Sequence, residues 1–184
     1  MEMQFIEFLY AHHTPFLDRF FSLITVLGNK GIFWIVMGLL FFILAKKKKT
    51  GACMLIALLL GAVFGNLIIK NIVMRSRPFW VNPGLQLIIK SPSDYSFPSG
   101  HTLSSFGASV ALYKNRKTLG RIFIVVAALV AFSRLYLSVH YPSDVICGMA
   151  MGIFFGSISP VLYEKKVKAF LEALCRKLHI RYEK

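Results

Sequence analysis

A chain of 184 residues with 56% hydrophobic and only 16% charged residues, and a mean hydropathy of +0.61, is too apolar for an ordinary water-soluble domain. The net charge of +14 would suit a nucleic-acid partner, but the cations cluster at 46–49, 114–121 and 165–184, in short connections or at an end beside apolar runs. That is the distribution of cytoplasmic membrane-flanking segments touching anionic lipid, so no nucleic-acid partner is expected.

In chain order, residues 1–13 mix Glu2, Glu7, His12 and His13 with Phe5, Ile6, Phe8 and Leu9, as in an interfacial amphipathic helix. No basic leader or small-residue cleavage site precedes the apolar runs, so no removable signal peptide is expected. Residues 15–27 are apolar after Asp18-Arg19 but short, either a first span or a helix lying half in the bilayer, and Gly28-Asn29-Lys30-Gly31 reads as a turn. Residues 32–45 and 51–69 are spans separated by four lysines. Between Arg77 and Phe97, Pro78, Pro83, Gly84 and Pro92 break any helix. There Phe79 and Trp80 read as interfacial anchors, and residues 85–89 are apolar enough to dip into the headgroup layer. Spans follow at 101–113, 121–137 and 143–163, then an amphipathic basic helix over 164–180 with Val167, Phe170, Leu171, Leu174 and Leu178 on one face.

The expected fold is therefore all-α: one polytopic membrane bundle over residues 1–184, with about six transmembrane helices and amphipathic terminal helices. Gly61 and Gly65, and Gly148, Gly152 and Gly156, have the four-residue spacing of close helix packing. Cys53, Cys147 and Cys175 show no pairing or metal-site spacing and read as packing groups. Placing the basic segments in the cytoplasm puts Lys70, Arg77, His101, Arg134, His140 and Asp144 together at the opposite, extracytoplasmic face of a cell membrane.

Charged groups at a membrane boundary need a partner or a task. Lys70 and Arg77, seven apart, would share a face of a continuing helix about 10 Å apart and reach one anion, or simply snorkel; Arg75 lies off that face, toward headgroups. Asn66, one turn before Lys70, could orient it or simply bond across helices. Ser99 would cap the helix starting at Gly100; the same free N–H groups make an anion site, with His101 held beside it to move a proton. Asp144 could serve only the first turn of a helix opened by Pro142, and Arg134 a helix C-terminus. The four-residue spacing of His140 and Asp144 also suits a carboxylate that orients an imidazole as nucleophile or base.

Taken together, Lys70-x6-Arg77-Pro78, Pro98-Ser99-Gly100-His101 and Ser133-Arg134-x5-His140-x3-Asp144 resemble, in order and spacing, the three-part signature of the type 2 phosphatidic acid phosphatase superfamily. That superfamily holds membrane lipid phosphate phosphatases and soluble vanadium haloperoxidases. The resemblance covers about residues 60–160. It implies His140 as nucleophile forming a phosphohistidine, Asp144 orienting it, and His101 protonating the leaving oxygen and then activating water. Lys70, Arg77, Ser99, Gly100 and Arg134 would hold the phosphoryl oxygens. Such placement and charge neutralisation is what phosphoryl transfer requires.

A metal site built from His101, His140 and Asp144 would face repulsion from Lys70, Arg77 and Arg134, so neither metal nor other cofactor is expected. The membrane spans argue against a haloperoxidase, and the intact residue set against a binding-only relative. The resemblance leaves a phosphatase for a lipid phosphate or diphosphate, of the undecaprenyl diphosphate, phosphatidylglycerol phosphate or phosphatidate type. The alternative is a lipid-linked phosphotransferase using the same phosphohistidine with an acceptor other than water.

Overall fold

A computed structural model describes residues 1–44 and 48–169. Most of the expected amphipathic tail, including Phe170, Leu171, Leu174, Cys175 and Leu178, lies outside the described residues. Helix α1 spans Glu2–Ala11, α2 Pro15–Val26, and α3 Ile32–Leu44 after a 3₁₀ turn at Asn29–Gly31. Helix α4, Lys49–Leu60, continues through a π-helical stretch, Gly61–Ile69, into α5, Lys70–Val73. The short α6, Pro78–Val81, interrupts the loop before α7, Gly100–Asn115, which is followed by α8, Lys117–Tyr136, and α9, Pro142–Leu162. The described residues contain no strand.

Helix starts follow local chemistry. Thr14 accepts the Leu17 N–H ahead of Pro15, and Ser99 accepts the Thr102 N–H at the head of α7. Helix α7 is the central post. It packs against α3, α4, α8 and α9, and ten of its sixteen residues are buried. Its Ser, Gly and Ala content makes such close neighbours possible. On α9, a methyl group at Gly148, Gly152 or Gly156 would stand 2.7 Å from the carbonyl oxygen of Ser99, Leu103 or Gly107, so the glycine repeat is the surface on which α7 seats. Cys53 is a buried member of the same core, as its packing reading required.

Four stretches, Pro15–Leu44, Lys49–Val81, Lys117–Tyr136 and Pro142–Val167, are long and apolar enough to cross a bilayer. Leu39, Ile43, Leu59, Leu67, Ile122, Val125 and Phe154 point outward and are exposed. A surface this apolar belongs in lipid, and the chain is a membrane protein. The six apolar helical segments expected from the sequence stand as α2, α3, the α4–α5 run, α7, α8 and α9.

Of the two readings left open for residues 15–27, the contacts favour a helix lying along one end of the bundle. At the start of α2, Thr14 donates its N–H to Tyr136 Oη (3.3 Å), and His13 Nε2 lies 2.8 Å from the Tyr136 carbonyl oxygen. At its other end Thr25 accepts from Arg134, one half-turn away on α8, and Gly28 lies against the His101 ring. Helix α1 is at the same end: Glu2 meets Arg75 and Ser143, and Tyr10 Oη accepts the Gln86 N–H.

These two helices also change the fate of the loop. Leu85 packs on Ile6 and Tyr141, while Leu87 and Ile89 pack on the Phe21, Tyr136 and Val139 cluster. The expected dip of residues 85–89 into the headgroup layer is thus replaced by burial against α1 and α2, with Ile88 left exposed. The exposed cations Lys114, Arg116 and Lys117 lie at the opposite end, where Lys49 pairs with Glu164 at 2.6 Å.

Candidate active site

Where α2, the α4–α5 run, the 82–99 loop, α7 and the α8–α9 turn meet, a cavity of about 940 Å³ opens. Lys70, Arg77, Gly100, His101, Arg134 and His140 all line it, although they are scattered over seventy residues of sequence. Ser99 and Asp144 stand behind this surface, both fully buried. Ser99 Oγ accepts the Thr102 N–H (3.5 Å), which is the capping role, and lies 2.9 Å from Thr102 Oγ1. Gly100 is where the α4–α5 run comes nearest, since a Cβ there would lie 2.6 Å from Asn66 Oδ1. Asn66 therefore abuts the head of α7.

Lys70 and Arg77 do not share a helix face as the spacing predicts. The helix stops at Val73, Met74 adopts a left-handed conformation (φ 47°), and Arg77 is the extended residue before Pro78 at the start of α6. The two cations converge nonetheless, because Asp94 bridges them: Lys70 Nζ donates to Oδ2 and Arg77 Nη2 to Oδ1, each at 2.6 Å. Burial opposes ionisation of Asp94, but the hydrogen bonds and charges of Lys70 and Arg77 outweigh it and hold its pKa down at about 2. Arg77 also donates through Nε to the Asp94 carbonyl (2.7 Å) and through Nη1 to the Val139 carbonyl (2.7 Å). Arg134, 2% exposed, donates to Thr25 Oγ1 and keeps a buried Nε with no partner among the described residues.

His140, in the turn between α8 and α9, is 1% exposed. Its Nε2 lies 3.3 Å from Arg77 Nη1. A guanidinium can only donate, so Nε2 presents its lone pair and the proton resides on Nδ1. Burial, then the charges of Arg77, Arg134 and Lys70, push the pKa of this imidazole well below its ordinary value, so it is neutral. On the other side, Nδ1 lies 3.4 Å from Ser96 Oγ and 3.5 Å from Asp144 Oδ2. Ser96 donates to that same Oδ2 at 2.5 Å. The carboxylate expected to bond the imidazole directly thus reaches it mainly through a serine hydroxyl.

Asp144 is fixed from several directions. The Tyr141 N–H donates to Oδ2 (2.8 Å) and Arg75 Nη1 to Oδ1 (2.6 Å). The headgroup contact expected of Arg75 is corrected by this geometry. Its guanidinium turns inward over the Tyr141 ring (4.1 Å to the centroid) and also binds Ser143 Oγ and Glu2 Oε2, both at 2.6 Å. The Arg75 carbonyl in turn accepts the Ser96 N–H (2.8 Å), so one residue anchors both groups that flank His140 Nδ1.

The sequence reading missed Asp94, Ser96, Thr25 and Asn29. A signal existed for the first. Of eight acidic residues only Asp94 and Asp144 lie between Arg19 and Tyr163, and cations drawn into a membrane bundle need counter-charges. The others carry no such mark, because Ser, Thr and Asn beside a turn are ordinary.

The assembled geometry can seat a tetrahedral anion among Lys70, Arg77 and Arg134, with an imidazole lone pair at hand and a second imidazole, His101, on the cavity wall. A family model described as the PAP2 superfamily matches residues 50–168. The chain is 35% identical over 146 residues to an undecaprenyl-diphosphatase of Sulfolobus acidocaldarius, covering 76% of this chain and 70% of that protein. It is 32% identical over 170 residues to a lipid A 4'-phosphatase of Bacteroides thetaiotaomicron, covering 85% of this chain and 74% of that one. A crystal structure of Aquifex aeolicus LpxE matches the fold with a TM-score of 0.74 and 27% identity, over 86% of this chain and 93% of its own. With the family model spanning most of the bundle and relatives matched over most of their length, the chain belongs to the PAP2 superfamily.

Proposed function

We propose that this lipid phosphatase, a single integral-membrane domain, hydrolyses a polyprenyl or glycerolipid phosphate or diphosphate through a phosphohistidine on His140, with its site at the extracytoplasmic face of the cell membrane. The observation that carries the chemistry is the neutral, buried His140, whose Nε2 lone pair meets Arg77 beside a cavity that Lys70 and Arg134 also line. Ile32, Ile35, Leu58 and Leu103 line the same cavity, which suits a substrate whose remainder is a lipid chain.

In the first step Nε2 attacks phosphorus. The N–P bond forms, the bond to the lipid oxygen breaks, and that oxygen takes a proton from the His101 imidazolium. As charge passes from His140 to the leaving group, the imidazolium character left on the ring is met through Ser96 by Asp144. In the second step neutral His101 removes a proton from water, the water oxygen attacks phosphorus, and the N–P bond breaks to restore His140 and release phosphate. The cations neutralise the equatorial oxygens in both steps. Incoming phosphoryl oxygens replace the Asp94 carboxylate as the partner of Lys70 and Arg77.

The chemistry is tested by trapping. Purified protein given labelled nitrophenyl phosphate and quenched should carry acid-labile, base-stable label that is absent from His140→Ala; acid-stable label would point to a serine ester. Activity should survive EDTA and be inhibited by vanadate. The side of the membrane is tested in a background free of native thiols: a cysteine replacing exposed Gln86 should react with an impermeant reagent in intact cells and one replacing Thr118 should not. Equal labelling would reverse the orientation.

A further inference from the structure

The family model begins at residue 50, yet the turn joining α2 to α3 lines the cavity. Asn29 Oδ1 lies 2.9 Å from His101 Nε2. The preceding residue is shaped around the same ring, since a Cβ on Gly28 would come within 2.5 Å of His101 Cδ2. The turn holds its form with two consecutive left-handed residues, Lys30 (φ 49°) and Gly31 (φ 68°). A lysine in that region is uncommon and persists only where surrounding contacts enforce it. Four residues earlier, Thr25 accepts from Arg134, so the same stretch is tied to the site twice. His101 Nδ1 carries no hydrogen bond among the described residues.

We propose that Asn29 is a positioning residue of the active site, whose side-chain carbonyl accepts the Nε2 proton of His101 and so reserves Nδ1 for proton transfer to and from the reacting oxygens. The proposal rests on the acid–base reading of His101 given above. With Nε2–H held by a carbonyl, the neutral ring has its lone pair on Nδ1, where it can take a proton from water. The imidazolium has its second proton on Nδ1, where it can be given to the leaving oxygen. The Nε2 proton moves in neither step. Without Asn29 the ring is free to rotate and to change tautomer, and each turnover must wait for the productive arrangement. A histidine's working nitrogen is set by the hydrogen bond its other nitrogen makes.

Two variants separate positioning from mere structure. Asn29→Ala should lower kcat for a lipid phosphate by roughly ten- to a hundredfold, a fraction of the ~10²–10⁴ that acid–base help supplies, with KM nearly unchanged. With a nitrophenyl ester, whose leaving group needs little protonation, it should still take up label and then lose it slowly. Asn29→Asp keeps the shape and places a carboxylate on Nε2–H. It should retain most of kcat while both limbs of the kcat–pH profile move to higher pH by about one unit, because a carboxylate favours the imidazolium. Both proteins should unfold at the wild-type temperature. Wild-type kcat and pH profile in both variants would overturn the proposal, as would equal losses in both with no pH shift. A wild-type protein that takes up no acid-labile label would instead remove the phosphohistidine reading, and the pH shift of Asn29→Asp, read from steady-state hydrolysis, would still decide for or against Asn29.

Discussion

At one end of the bundle Lys70, Arg77 and Arg134 are 6%, 2% and 2% exposed, each held by named partners. At the other, Lys114, Arg116 and Lys117 stand exposed, and Arg116 rests over the Phe41 ring at 5.6 Å. Both ends carry clustered positive charge, so composition alone treats them alike. What separates them is the cost of burial. A desolvated cation is tolerated only where fixed dipoles or counter-charges surround it, and such a site is already organised for an anion. An exposed cation is hydrated, screened and free to move, and serves orientation and lipid contact.

The largest effect should come from Arg134, which among the described residues has no acidic partner and keeps its Nε unpaired. Arg134→Met fills similar volume without charge. Loss of a preorganised donor to developing phosphoryl charge costs on the order of 10²–10³ in rate, and loss of a full charge should exceed that. The same change relieves a desolvation penalty, so the variant should unfold at the same or a higher temperature in detergent. A catalytically dead but no less stable protein would mark Arg134 as a site residue held against the stability of the fold. A dead and strongly destabilised one would assign it to structure and weaken the contrast between the ends.

Much of this contrast was legible in the sequence, and the parts that were not have physical reasons. The apolar runs, the glycine ladder and the order of the signature residues are local or periodic features, and the structure gathers Lys70, Arg77, Gly100, His101, Arg134 and His140 in one cavity. The helix break at Met74 was hidden, because methionine carries no preference for the left-handed region it occupies. The orientation of α2 was hidden because a mostly apolar helix of twelve residues can either half-insert or begin a span, and contacts with Tyr136 and Arg134 decide. Arg75 was misplaced by extending a helix that had ended two residues earlier. Ser96, Thr25 and Asn29 act only through residues distant in sequence, so neither their type nor their spacing announces them.

A smaller effect is expected at Asp94, whose carboxylate bridges Lys70 and Arg77. Asp94→Asn leaves both cations without their counter-charge, so vanadate and inorganic phosphate should bind about tenfold more tightly. The pH dependence should not change. The folded pKa of Asp94, about 2, lies below the ordinary carboxylate value. Its pairing therefore stabilises the fold at all pH above the unfolded value and is lost only as pH falls through about 2. A group that titrates at about 2 sets no limb of the activity profile near neutral pH, and the Asn variant should reproduce that profile. Weaker vanadate binding would mean that Asp94 organises the cations for the substrate and does not compete with it.

The smallest effect is predicted at the opposite end, and it tests the comparison most directly. Lys114 and Arg116 line a second cavity of about 500 Å³ together with Lys49, Thr50 and Asn115, so a hidden functional role there would mimic the site end. Its walls differ in kind. Lys114 and Arg116 are exposed, and Lys49 spends its charge on Glu164 at 2.6 Å, with 39% and 43% of the two side chains exposed. Exposed pairs of this sort contribute little and are screened by salt. Lys114→Ser combined with Arg116→Ser should therefore leave kcat and KM in detergent within about twofold of wild type, at low and at high salt alike. A loss of more than tenfold would show that cations can matter to turnover without being buried, and exposure would no longer distinguish the two ends.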